Sequence, residues 1–110
     1  EQGEKYALLL SLKKLADKDG MIDSTVSELA RYDSENSSEL TETLYTYLSC
    51  HHSLKTTCEK LYTHRNTVLY RINKITETYK IDLDDPNKYL RYLLSAALVL
   101  VKNGRDEIFI

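Results

Sequence analysis

The apolar positions of this chain fall into helical stripes separated by short polar breaks, and they predict an all-α bundle of about six helices. Residues 6–16 form the first, with Leu8, Leu9, Leu12, Leu15 and Ala16 on one stripe and Lys13 and Lys14 outside it. Residues 17–23, containing Gly20, break the pattern. A second, short helix is expected to be capped by Ser24 or Thr25 and to turn Val26, Leu29 and Ala30 inward, with polar residues 31–36 as a turn. Ser37 or Ser38 then opens a third, whose stripe is Leu40, Leu44, Tyr47 and Leu48, with Glu39 and Glu42 at the positive end of its dipole.

The second half of the chain is more pointed. Ser53 is expected to cap a short fourth helix with Leu54, Thr57, Cys58 and Leu61 inward, and Tyr62-Thr63 forms a tight turn. A fifth helix is expected over 64–80, with Val68, Ile72, Ile75 and Tyr79 as a narrow seam. Asp82–Asp85 is an acidic loop, and Pro86 suits the first turn of a last helix over 87–102. That helix is apolar nearly all round, so it is either the central core helix or a contact between subunits. Gly104 ends it, and a tail over 106–110 closes on apolar residues. The organisation expected is an N-terminal helical segment over 1–36 packed on the core, a helix-turn-helix domain over 37–102 with its reading unit at 53–80, and a tail over 103–110.

Composition narrows the class of function. One Pro, three Gly and no Trp among 110 residues, with abundant Leu, Lys, Glu and Ala, agree with helices. The longest apolar run, 96–101, is far short of the ~20 residues of a membrane span. No charged-then-apolar leader opens the chain, so a cytoplasmic protein with reduced thiols is expected. The first residue is Glu rather than Met, which leads us to expect a fragment of a longer protein. The net charge of −2 conceals a division along the chain. Residues 51–80 carry six Lys/Arg against two Asp/Glu, a local +4, while 1–50 is strongly acidic. Phosphate affinity depends on where positive charge is displayed rather than on the total.

That basic block coincides with a capped helix, a tight turn and a longer helix, the helix-turn-helix unit whose second helix enters the major groove. With Val68 at the centre of the buried face, Asn66, Tyr70 and Lys74 lie about 160°, 200° and 240° round the helix and point away from the core. The residue types suit base edges. Arg65 can pair with guanine and Asn66 with adenine through two bonds each, Thr67 can touch a thymine methyl, and His64 and Tyr70 complete the set. Ser53, Lys55, Thr56, Arg71 and Lys74 are the expected phosphate contacts. An ordinary amphipathic helix with a solvated polar face would read similarly from charge and period alone.

Residues 61–72, Leu-Tyr-Thr-His-Arg-Asn-Thr-Val-Leu-Tyr-Arg-Ile, resemble the L-x-V-H-R-N-T-V-x-Y-R-L signature of the PucR-type C-terminal helix-turn-helix domain. The resemblance extends to Tyr32-Asp33, to the Glu39–Leu48 stretch and to the Asp82-Leu83-Asp84-Asp85-Pro86 loop, covering roughly 26–101. It implies a bacterial transcriptional regulator with an N-terminal sensory domain that responds to a small molecule, and it carries the recognition role onto His64, Arg65, Asn66, Thr67, Tyr70 and Arg71. The chain departs from the pattern at Cys58, where Ala is usual, at Thr63, where Val is usual, and at Lys55, a position often held by Ser.

Other features point elsewhere less strongly. Cys50, His51, His52 and Cys58 offer four soft ligands, but their spacing fits neither pairing usual in structural zinc sites, and no metal or cofactor is expected. No nucleophile, base and oxyanion site can be assembled around His51, His52 and His64, so no enzyme is expected. The acidic loop lacks the spacing of a calcium loop. Nine Tyr are better used at core edges and interfaces than in a cofactor pocket. Because one helix reads only a few base pairs, a homo-oligomer on double-stranded DNA half-sites is expected. The alternative is a module of helix-turn-helix shape that binds protein rather than DNA.

Overall fold

The computed structural model describes residues 2–108, so the apolar end of the expected tail, Phe109-Ile110, lies outside the described residues. These residues form six α-helices and no strand: α1 (Gln2–Ala16), α2 (Ser24–Asn36), α3 (Leu40–Ser49), α4 (Leu54–Leu61), α5 (Arg65–Asn73) and α6 (Tyr89–Lys102). A π-helical segment, Lys74–Thr78, continues α5, and a 3₁₀ turn, Asp106–Ile108, follows α6.

α6 is the central helix. Tyr92 and every residue from Ser95 to Val101 are buried, because α3 covers one side and α1 another. Of the two readings its sequence allowed, core burial therefore accounts for its apolar surface. One cluster joins Val26 and Leu29 of α2, Leu40, Leu44 and Leu48 of α3, Ile75, Ile81, and Tyr92, Ala96 and Val99 of α6. A second joins Leu9, Leu12 and Ala16 of α1 to Leu98 and Val101. The buried Ser95 hydroxyl is satisfied by the Asp23 backbone N–H at 2.9 Å, and the Tyr89 hydroxyl donates to the Leu48 carbonyl at 2.7 Å.

Several sequence expectations are corrected. Residues 31–36 are not a turn but the last turns of α2, because no Gly or Pro interrupts them and Tyr32 packs against the core. The helix stops instead at Ser37, which takes the left-handed conformation (φ 52°) and donates its N–H back to the Asp33 carbonyl. Asp23, not Ser24 or Thr25, caps α2, its carboxylate accepting from the N–H groups of Thr25 and Val26 at 2.9 and 3.4 Å. α3 is capped by neither Ser37 nor Ser38. Asp33 reaches across from α2 instead, accepting from the Leu40 and Thr41 N–H groups, both at 2.8 Å, and from the Ser38 and Thr41 hydroxyls. Leu8 is exposed, so the α1 stripe narrows to Leu9, Leu12 and Ala16, with Leu15 at its edge. Pro86 sits in a turn, and α6 begins three residues after it.

Candidate nucleic-acid interface

α4 starts where the sequence places it. The Ser53 hydroxyl accepts the Thr56 N–H at 3.2 Å and donates to the Thr56 hydroxyl at 3.0 Å, and the Thr57 hydroxyl, buried, donates to the Ser53 carbonyl at 2.7 Å. The helix ends at Tyr62, which is left-handed (φ 52°) and returns its N–H to the Cys58 and Glu59 carbonyls. Thr63 follows with its hydroxyl bonded to the Leu61 carbonyl at 2.8 Å. The Val-to-Thr departure is thus accommodated by a local bond that closes the same turn.

α5 begins at Arg65, with His64 extended (φ −66°, ψ 150°) at its N-cap and making no side-chain capping bond. Its first-turn amides therefore face outward at the positive end of the helix. Val68 is fully buried and anchors one face, while His64, Arg65, Asn66, Thr67 and Tyr70 are all exposed on the remainder. Tyr70 keeps 63% of its surface open. The five residues read as base contacts are thus brought together on one outward surface of a single short helix. Among the residues read as phosphate contacts, Lys55 is exposed at the start of α4, and Ser53 and Thr56 are partly exposed beside it, holding each other.

Arg71 and Lys74 are placed differently. The Arg71 guanidinium turns toward α3, 3.4 Å from both the Thr43 hydroxyl and the Glu39 carboxylate, and its side chain is only 18% exposed. Lys74 opens the π segment with its ammonium 4.5 Å from the centroid of the Tyr32 ring. The Tyr32 side chain beside it, ahead of smaller opposing desolvation, holds the Lys74 ammonium above its ordinary pKa. Tyr79 meets Tyr32 edge-on at 6.2 Å, and partial burial pushes its own hydroxyl pKa up. Tyr32 and Glu39 therefore border this region, although residue-type reasoning gave Glu39 only a place at the α3 dipole and Tyr32 no role. The Tyr32-Asp33 pair was the signal available.

The α5 seam also differs from a continuous helix to residue 80. Val68 and Ile75 are fully buried, Ile72 and Tyr79 only partly so, and a wider π turn begins at Lys74. Lys80, left-handed (φ 58°), then ends the segment. Among the described residues no three His, Cys, Asp or Glu side chains gather to hold a metal, and His52 stacks on Tyr47 with ring centroids 4.9 Å apart. Cys50 and Cys58 are free thiols. No helix among the described residues is long and apolar enough to cross a membrane.

Residues 40–98 match the family model described as the PucR C-terminal helix-turn-helix domain. The chain belongs to this family. Within the PucR-type domain the α4–α5 pair has the helix-turn-helix form and packs on α3, which in turn packs on α6. The chain is 38% identical over 87 residues to the purine catabolism regulatory protein of Bacillus subtilis (strain 168), a match covering 79% of this chain and 16% of that protein. It is 47% identical over 53 residues to the proline-responsive transcriptional activator PutR of the same organism, covering 48% of this chain and 13% of the relative. A third relative there, the DNA-binding transcriptional activator AdeR, is 30% identical over 89 residues, or 80% of this chain and 21% of its own length. The chain thus spans between an eighth and about a fifth of these relatives. No solved structure matches it.

Proposed function

We propose that this domain binds double-stranded DNA sequence-specifically and serves as the DNA-reading part of a transcriptional regulator. The observation that carries the reading is the outward face of α5. Five side chains able to pair with base edges, His64, Arg65, Asn66, Thr67 and Tyr70, surround an uncapped helix start inside the one strongly basic stretch of an acidic chain. Arg65 and Asn66 are the residues for guanine and adenine, and Lys55, Ser53 and Thr56 sit where the α4 start would meet a phosphate. The names of the relatives, two of them transcriptional activators and one also DNA-binding, support the same assignment. The working form in this proposal is a homo-oligomer on repeated half-sites, attached to a sensory domain and acting in the cytoplasm. Its units are the segments 1–36, 37–102 and 103–110.

Selection from random duplexes followed by a salt titration tests it. The expected affinity falls with salt at a log–log slope of about −0.9 per phosphate contacted. Arg65→Ala and Asn66→Ala are each expected to cost about 1–3 kcal/mol and to blur preference at one position of the site. A chain that selects no duplex, or whose preference is unchanged in both variants, ends this reading and favours a protein-binding module.

A further inference from the structure

The two cations on the flank of α5 are held by partners of opposite kind. Arg71 faces a carboxylate, Glu39, which a phosphate would have to displace or share. Lys74 faces the neutral ring of Tyr32, 4.5 Å from ammonium to centroid. A ring face attracts an ammonium through its quadrupole without cancelling its charge, and it leaves N–H donors on the far side available. The ring is itself fixed. Tyr79 abuts it edge-on, both tyrosines pack against the main core cluster, and neighbouring Asp33 is tied to α3 by bonds from Ser38, Leu40 and Thr41. Lysine side chains ordinarily lose much rotamer freedom when they meet a phosphate. A lysine already resting on a fixed ring has lost part of it in the free protein.

We infer that Tyr32 is a positioning residue for DNA binding: its ring, held by Tyr79 and the Asp33 anchor, presents the Lys74 ammonium at the edge of the reading surface for a backbone phosphate. The inference rests on the DNA-binding reading above and assigns a role to a helix, α2, outside the helix-turn-helix unit. The charge is supplied by Lys74, and Tyr32 supplies its place. Losing the ring therefore weakens binding without removing a counterion-releasing charge.

The test is a double-mutant cycle on the 110-residue chain with its selected duplex, read by fluorescence anisotropy across a salt series. Tyr32→Leu is expected to weaken binding roughly two- to tenfold, the range for ordering one long side chain, with the salt slope unchanged. Lys74→Ala is expected to reduce the slope by about 0.9. In the Lys74→Ala background, Tyr32→Leu should cost nothing further, whereas a merely structural role would carry its loss into that background. Tyr32→Phe, which keeps the ring face, should restore most of the affinity. In the free protein, the Lys74 side-chain methylene protons should show an upfield ring-current shift by NMR that Tyr32→Leu abolishes. Independent, additive losses, failure of Tyr32→Phe to restore binding, or no ring-current shift overturns the role of Tyr32 while leaving DNA binding intact. A wild-type chain that binds no duplex ends both readings at once.

Discussion

Asp33 shows how much a single side chain decides here. Its two carboxylate oxygens accept from two backbone N–H groups and two hydroxyls, so a side chain near the end of α2 caps the start of α3 and ties the two helices together. Serine was the expected cap because Ser37 and Ser38 stand next to the α3 start, and capping is usually local. A residue several positions upstream can take the role only when the chain folds back on itself, which local reading does not reveal. Asp33→Ala is expected to lose about 1–2 kcal/mol, since it strips the α3 N-terminus of its acceptors. For a domain near this size that is a drop in melting temperature on the order of 5 °C or more. A melt within a degree of wild type would show that water replaces the carboxylate. The outward residues of α5 were legible for the opposite reason: Arg65, Asn66 and Tyr70 need only be absent from the buried face, and Val68 defines that face from the sequence.

At the scale of elements, existence was easier to read than limits. All six helices stand where apolar stripes fall, but α2 runs further, α6 begins later, and α5 passes into a π turn at Lys74. Several segment ends, though not the start of α6, fall at a left-handed residue. Among the described residues five non-glycine residues are left-handed, including Ser37, Tyr62 and Lys80 at segment ends, and sequence signals for such stops rely on Gly or Asn, which are missing there. Tyr62 is the clearest instance, a bulky residue at φ 52° whose side chain is 96% exposed and therefore gains little from packing. Tyr62→Gly is expected to stabilise the domain by about 1 kcal/mol by relieving the left-handed strain at the α4 C-terminus. Chemical denaturation measures this. A destabilised variant would mean that the ring holds the turn through a contact of its own.

Across the whole molecule, the residues after α6 tie distant helices together. The Arg105 guanidinium grips both carboxylate oxygens of Glu42 on α3, at 3.1 and 2.9 Å, and also bonds Glu107, while Lys13 of α1 reaches Asp106 at 2.9 Å. Bonding to Glu42 first, and to Glu107 second, keeps the guanidinium pKa above its ordinary value. Arg105 in turn, chiefly through their hydrogen bond, holds the Glu107 carboxyl below the usual carboxylate range. A carboxylate whose folded pKa lies below its unfolded value of about 4.3 stabilises the fold above that value and loses the contribution as pH falls through the folded pKa. The tail is therefore expected to keep its amide exchange protection from neutral pH down to about pH 5 and to loosen below about pH 4. Arg105→Ala should loosen it at every pH and cost about 1 kcal/mol. Unchanged protection down to about pH 3 would show that the Arg105–Glu107 bond does not hold the tail.

Periodicity, caps such as Ser53 and the clustering of positive charge are local properties, so the sequence alone determined the all-helical class, the helix-turn-helix unit and the outward face of α5. Tertiary structure decided what depends on segments meeting: Asp33 as the cap of α3, Arg71 drawn to Glu39 and Thr43, Lys74 resting on Tyr32, and Arg105 clasping Glu42. In each case the partners come from different segments, 28 positions apart for Arg71–Thr43 and 63 for Arg105–Glu42. No pattern with the period of one helix records which side chain of another will lie against it, because that is set by how the helices pack around α6.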